Sequence, residues 1–170
     1  FKAQKKPVYA IARNYSQSQY LLASYADQIY LNELGEVNII GLAQNNLYFK
    51  SLIDKLEITP HIFRVGTYKA AVEPFLRDDM SAEAKANTGL WLNQMWQNYQ
   101  QTIAENRAIE QSAVLPEAKT LLTQLKTLNG DTAQYAEQRG LVNGIMSDWR
   151  MRDRFIEAFG IDDSRTTYQY

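Results

Sequence analysis

The stretch "RVGTYKAAVEPF", Arg64 to Phe75, decides the fold. Just ahead of it, "PHIFRVG" alternates apolar and polar residues with the period of a strand. Just after it, "AAVEPFLRDD" has helical spacing, interrupted by Pro74. The hydrophobic period thus changes near Gly66. The chain up to about Val65 reads as α/β crossover units, and the chain beyond it as mainly helix. Lys69 stands at the change, beside Gly66, Thr67 and Tyr68.

Working upstream, "PVYAIA" (Pro7 to Ala12) is a short apolar run of the kind a buried strand shows. "SQSQYLLASYAD" (Ser16 to Asp27) reads as a helix with Ser16 as N-cap. "QIYLN" and "GEVNIIGLA" (Gly35 to Ala43) read as two further strands. "NNLYFKSLIDKLEI" reads as helix, with Phe49, Leu52, Ile53 and Leu56 on one apolar face.

Working downstream, Pro74 is expected to kink or end a first short helix, and Ser81 to cap a long one through Arg107. That long helix has an apolar stripe of Leu92, Met95, Trp96, Tyr99 and Ile103, a core or subunit-interface pattern. "LPEAKTLLTQLKTLNG" is a further helix, with Pro116 early and Gly130 past its end. Asp131 caps "TAQYAEQR", which stops at Gly140, and "GLVNGI" is a short extended exit. "DWRMRDRFIEAFG" is a last amphipathic helix, with Met151, Phe155 and Phe159 on one side and Gly160 at its stop. Residues 1–160 are expected to form one domain, and residues 161–170 a linker toward something absent.

Composition excludes several functions. Apolar residues make up 45% of the 170, enough for a core, and the formal net charge is −1 with both signs interspersed. A general nucleic-acid binder would need a basic face. No window approaches the roughly 18–20 apolar residues of a membrane span. With no cysteine and His61 as the single histidine, disulfides, thiolate metal sites, His-rich metal sites and a triad needing a second histidine are excluded. Cysteine usage fits both periplasm and cytoplasm. A chain that starts at Phe1, beside an apolar strand, reads as a piece of something longer.

Most isolated candidates are weak. Asp78–Asp79 and Asp162–Asp163 lack a supporting cluster and read as solvated or capping charges. His61 beside Pro60 reads as an ordinary histidine at a strand entrance, and "NYS" at Asn14 is too short a pattern to carry glycosylation. There is no Walker loop and no dinucleotide fingerprint.

Lys69 differs by position. If Thr67 caps the helix, Lys69 is its second residue, where the positive helix end disfavours an ammonium. Partial desolvation acts in the same direction. Both favour the neutral amine that a general base requires. The competing reading is a surface lysine at a helix start.

"GTYKAAVEPFLRDDMS", preceded by "LEITPHIFRV", resembles the lysine-bearing segment of the bacterial signal peptide peptidase A (protease IV) family. The run from "NYSQSQYLLASYAD" to "SLIDKL" resembles the segment before it in the long, two-repeat form of those enzymes. "LWLNQMWQNYQQTIAENR" and "GDTAQYAEQRGLVNGI" resemble the segments after it, so the likeness covers nearly the whole chain. The resemblance implies an α/β, ClpP/crotonase-like fold of repeated ββα units followed by a mainly helical C-terminal part. It implies a serine endopeptidase with a Ser/Lys dyad, in which Lys69 is the base. The family's serine comes from the C-terminal half, in a Ser-Gly-Gly element. The matching place here is "YSQSQY", with Gln17 in the serine slot, Ser16 and Ser18 beside it, and no glycine pair. This chain therefore resembles the N-terminal half, and the isolated fragment is expected to be inactive. Asn143 stands where the family often has an acid.

The resemblance further implies cleaved signal peptides and other apolar peptides as substrates. It places the protein at the bacterial inner membrane, on the periplasmic side, with an anchor outside this chain. No metal or organic cofactor and no nucleic acid is implied. The implied partners are the C-terminal half of the same protein and further copies, the family suggesting a tetramer. The rival is a degenerate repeat that scaffolds the assembly, with Lys69 structural. An acyl-CoA-binding crotonase relative would need a pocket and an oxyanion pair that the sequence does not show.

Overall fold

The structure is a computed structural model and describes residues 6–61 and 70–160. In chain order the strands are β1 (Tyr9–Ala12), β2 (Tyr15–Ser16), β3 (Gln28–Leu31), β4 (Val37–Asn38) and β5 (Gly144–Ile145). The helices are α1 (Gln17–Ala23), α2 (Lys50–Lys55), α3 (Glu73–Leu76), α4 (Ala82–Arg107), α5 (Gln111–Val114), α6 (Ala118–Thr127), α7 (Thr132–Gln138) and α8 (Asp148–Phe159). A 3₁₀ turn, Ala70–Val72, leads directly into α3. The chain forms two compact units, residues 1–40 with 100–170 and residues 41–99, and their boundary falls within α4.

The first unit holds a parallel sheet in the order β1-β3-β5, with Tyr9 opposite Gln28 and Tyr30 opposite Gly144. A parallel connection needs a crossover, and α1 supplies it between β1 and β3. The central strand reads "QIYL", with Ile29, Tyr30 and Leu31 all buried. Successive strand residues point to opposite faces, so three buried residues in a row mean cover on both sides, as parallel sheets require. The core continues through Tyr20, Ile103, Ala133, Ala136, Leu141 and Val142. Burial pushes the Tyr15 phenol up to about 12, so it remains a donor, to Tyr30 O at 3.1 Å. Tyr20 donates to Leu141 O at 2.6 Å. A second parallel pair, β2–β4, matches Tyr15 with Val37.

Several local expectations are met. Ser16 caps α1 in a capping box with Gln19, and Asp131 caps α7 through the Gln134 N–H at 2.8 Å. Asn129 and Gly130 both take positive φ after α6, and the Gly130 N–H reaches Leu125 O at 2.8 Å, a Schellman closure. Gly160 ends α8 with φ 80°.

Other elements differ from the reading. "GEVNIIGLA" shrinks to the two residues of β4, because Ile39 is buried while Ile40 and Leu42 point to solvent. The helix expected over "NNLYFKSLIDKLEI" is only α2, and Phe49, Leu52 and Leu56 stay exposed on it. Pro74 neither kinks nor ends a helix: it lies in the first turn of α3, where a missing N–H costs nothing. α5 was not anticipated. The strand expected over "PHIFRVG" falls largely, and the linker at 161–170 wholly, outside the described residues.

In the second unit, α2 and α3 are joined by backbone as well as side chains. The Phe49 N–H donates to Pro74 O at 2.7 Å, and the Phe49 and Phe75 rings stack at 6.2 Å. Among the described residues no helix is long and apolar enough to cross a membrane.

Candidate active site

Lys69 lies outside the described residues, with Gly66, Thr67 and Tyr68. What the structure describes is the chain that begins one residue later. Ala70–Val72 make a single 3₁₀ turn and Glu73–Leu76 a single α turn. A four-residue helix aligns too few peptide dipoles to act as a full macrodipole, so the dipole argument for Lys69 is weaker than a long helix would make it.

This turn is held from several sides. Glu73 is buried, 9% exposed. Its Oε2 accepts the Ser81 N–H at 3.1 Å, and its Oε1 accepts the Ser81 hydroxyl. Ser81 in turn caps α4, its Oγ accepting the Ala84 N–H at 3.1 Å. Further along, Asp78 accepts both the N–H and the hydroxyl of Ser51 in the first turn of α2, at 2.8 and 2.6 Å. Those two bonds hold the Asp78 carboxyl below its ordinary range. Asp79 is likewise lowered, mainly by the hydrogen bond from Arg77, with Lys85 at 3.7 Å adding to it. Asp78 thus caps α2, in line with the capping reading, whereas Asp79 is held in an ion pair that the sequence reading did not include. Among the described residues no cluster of His, Asp and Glu could hold a metal ion. His61 is exposed.

In the first unit the serine slot is equally legible. Gln17 is the first residue of α1, and its Oε1 accepts the Ile40 N–H at 3.0 Å. Ser16 Oγ is occupied by the capping box, donating to Gln19 Oε1 at 2.9 Å. Neither arrangement activates a hydroxyl: each satisfies backbone or cap. Asn14 Oδ1 accepts the Glu36 N–H at 3.1 Å, a loop role. Asn143 Oδ1 accepts from both Ile29 N and Arg107 Nη2, at 2.9 and 2.8 Å, locking β3 to the chain entering β5.

Sequence reading missed Glu73 and its contact with Ser81. An acid in the first turn of a helix after a lysine segment looks like ordinary charge placement. Only the close approach of two residues eight apart reveals its burial.

Residues 1–152 match the family described as Peptidase family S49. The chain is 57% identical over 160 residues to "Protease 4" of Haemophilus influenzae, covering 94% of this chain and 26% of that protein. It is 43% identical over 169 residues to "Protease 4" of Salmonella typhi, covering 99% of this chain and 27% of that protein. The chain spans about a quarter of the length of these curated relatives.

Proposed function

This chain belongs to Peptidase family S49, and on that premise we propose that it forms the base-bearing part of a serine-type endopeptidase. Lys69 is the general base, and the nucleophilic serine belongs to the C-terminal half of the full-length protein. The neutral Lys69 amine takes the proton of the serine hydroxyl as Oγ attacks the scissile carbonyl. The resulting ammonium returns that proton to the leaving amine, and water repeats the cycle on the acyl-enzyme. The observation that carries the reading is Gln17: a match across residues 1–152 comes with a glutamine, bonded to a backbone amide, where the serine is expected. The β1–α1–β3 crossover beside the β2–β4 pair supports assigning the N-terminal part to a ClpP/crotonase-like repeat. The substrates are cleaved signal peptides and other apolar peptides, met at the periplasmic face of the inner membrane by an oligomer of the whole protein.

The test is kcat/KM of the full-length protein on an apolar fluorogenic peptide, with melting curves and sizing alongside. Lys69→Ala should lower it about 10²–10⁴-fold with folding and assembly intact. Lys69→Arg should be no better, because a guanidinium with a pKa above about 12 is no base near neutrality. Wild-type activity in Lys69→Arg would make the lysine a fixed charge. Inactivity explained by failed assembly would favour the scaffold reading. The isolated chain should show no turnover, and turnover abolished by Ser16→Ala or Ser18→Ala would relocate the nucleophile.

A further inference from the structure

Glu73 is the one buried acid among the described residues, and each of its oxygens accepts a hydrogen bond from Ser81. A serine N-cap needs only its own bond to the helix, which the Ala84 N–H already provides. Removing a carboxylate from water is unfavourable unless its oxygens are well bonded, so this contact is more than a cap requires. Its other end is the first residue of α3, and only the three residues of the 3₁₀ turn Ala70–Val72 stand between Glu73 and Lys69. A helix of four residues cannot hold its own shape in water. The 26-residue α4 can hold its own, and Glu73 attaches the short turn to it.

We propose that Glu73 is a positioning residue for Lys69: its carboxylate ties the turn that follows the base to the first turn of α4. This rests on the reading of Lys69 as general base. A base must lie within hydrogen-bond reach of the proton it removes, and a displacement of about 1 Å costs on the order of 10²-fold in rate. Of the charged neighbours on the same segment, Arg77 and Asp79 pair with each other, and Asp79 also lies 3.7 Å from Lys85 in α4, an exposed pair that ties far more weakly than the buried contact of Glu73 with Ser81.

The experiment uses the full-length enzyme and an apolar fluorogenic peptide, well below the melting temperature of every variant. Glu73→Ala should lower kcat about 10–100-fold with KM changed by less than about twofold. Glu73→Gln keeps the side-chain volume and an acceptor for the Ser81 N–H, and should recover most of that loss. Ser81→Ala releases one carboxylate oxygen and should cost kcat severalfold, which keeps the test alive if Glu73→Ala fails to fold. Asp131→Ala removes the cap of α7 and serves as a destabilised control with unchanged kcat. The proposal is overturned if Glu73→Ala keeps kcat within about twofold of wild type, if KM rises while kcat holds, or if Asp131→Ala loses as much kcat at equal loss of melting temperature. Activity surviving Lys69→Ala overturns the base assignment and this role with it. A dead Lys69→Ala enzyme beside a fully active Glu73→Ala enzyme overturns the positioning role alone.

Discussion

Gly35→Ala places a methyl group where the chain turns back between the two strand pairs. Built on the observed backbone, its Cβ would overlap the Arg13 carbonyl oxygen and lie 2.8 Å from Leu31 Cδ1 and 3.0 Å from Asn32 O. Leu31 is fully buried and cannot swing aside, and a carbonyl moves only with its chain. Relief therefore requires a backbone shift of about 1 Å at residue 35, the scale on which packed interiors resist change. That shift strains three hydrogen bonds: Gly35 N to Asn32 O, Tyr15 N to Glu36 O, and Thr132 Oγ1 to Gly35 O, each 2.9 Å. At about 1 kcal/mol net per bond, with about 1–3 kcal/mol for overpacking, the loss is about 4–6 kcal/mol. For a chain of this length each kcal/mol moves the melting temperature by about 2–4 °C, so a fall of about 8–24 °C is expected. Gly89→Ala is the matched contrast. It lies inside α4 with nothing within 4 Å of the added Cβ, and should gain about 0.5–1 kcal/mol. Circular-dichroism melts of the two variants at neutral pH decide the matter. A Gly35→Ala chain melting within about 2 °C of wild type would refute the packing argument, as would a Gly89→Ala chain that falls equally far.

Asn143→Asp should raise the melting temperature by about 1–3 °C at pH 7, since a carboxylate there would meet Arg107 Nη2 in a charge-assisted bond while still accepting the Ile29 N–H. A gain that 1 M salt leaves untouched would show that the charge is not its cause. Asp78, Asp79 and Asp148 are all held below the ordinary value of 3.8, chiefly by hydrogen bonds from Ser51, Arg77 and Arg13 respectively. A lowered folded-state value stabilises above 3.8 and is lost as pH falls through it, so stability should decline below about pH 4. Replacing all three with Asn should flatten that decline, and melting curves that descend in parallel would contradict the assignment.

What the sequence disclosed followed from how local each cause was. Ser16 and Gln19, or Asp131 and Gln134, satisfy one another within a single turn, so spelling alone predicts the cap. "QIYLN" likewise reads as a short strand from its own residues, but its cover on both faces appears only in the structure, where Ile29, Tyr30 and Leu31 are all buried. The α2 stripe shows the opposite case. Periodicity placed Phe49, Leu52 and Leu56 on one face, but the period of a helix says nothing about whether another element covers that face, and these three remain exposed. β5 pairs with β3 from 114 positions away, Tyr30 against Gly144, and two residues carry no period to detect. The candidate site divides along the same line. Lys69 was singled out by its position, and both it and Gln17 were given their roles through resemblance to a long motif. The Glu73–Ser81 contact was reached by neither, because burial of an acid depends on a neighbour that no local rule supplies.

The turn after Lys69 therefore has to be understood as tertiary structure. Nucleating a helix fixes several dihedrals for one hydrogen bond, so Glu73–Leu76 would not persist alone. Its conformation is the joint result of four attachments: Glu73 to Ser81, Pro74 O to the Phe49 N–H, the Phe75 ring on Phe49, and Asp78 to Ser51. Three of the four lead to α2 or the residue before it, and one leads to α4. Loss of a single attachment to α2 leaves two others in the same direction, so its effect on the turn is shared. Loss of Glu73 removes the only one of the four that reaches α4, leaving the exposed Asp79–Lys85 pair at 3.7 Å as a weak tie in that direction. Residues that act through a shared element couple, whereas separate ones add. Phe75→Ala and Asp78→Ala should thus perturb the turn more together than the sum of their separate effects, because each single loss is buffered by the ties that remain, while Glu73→Ala should add its full effect to either.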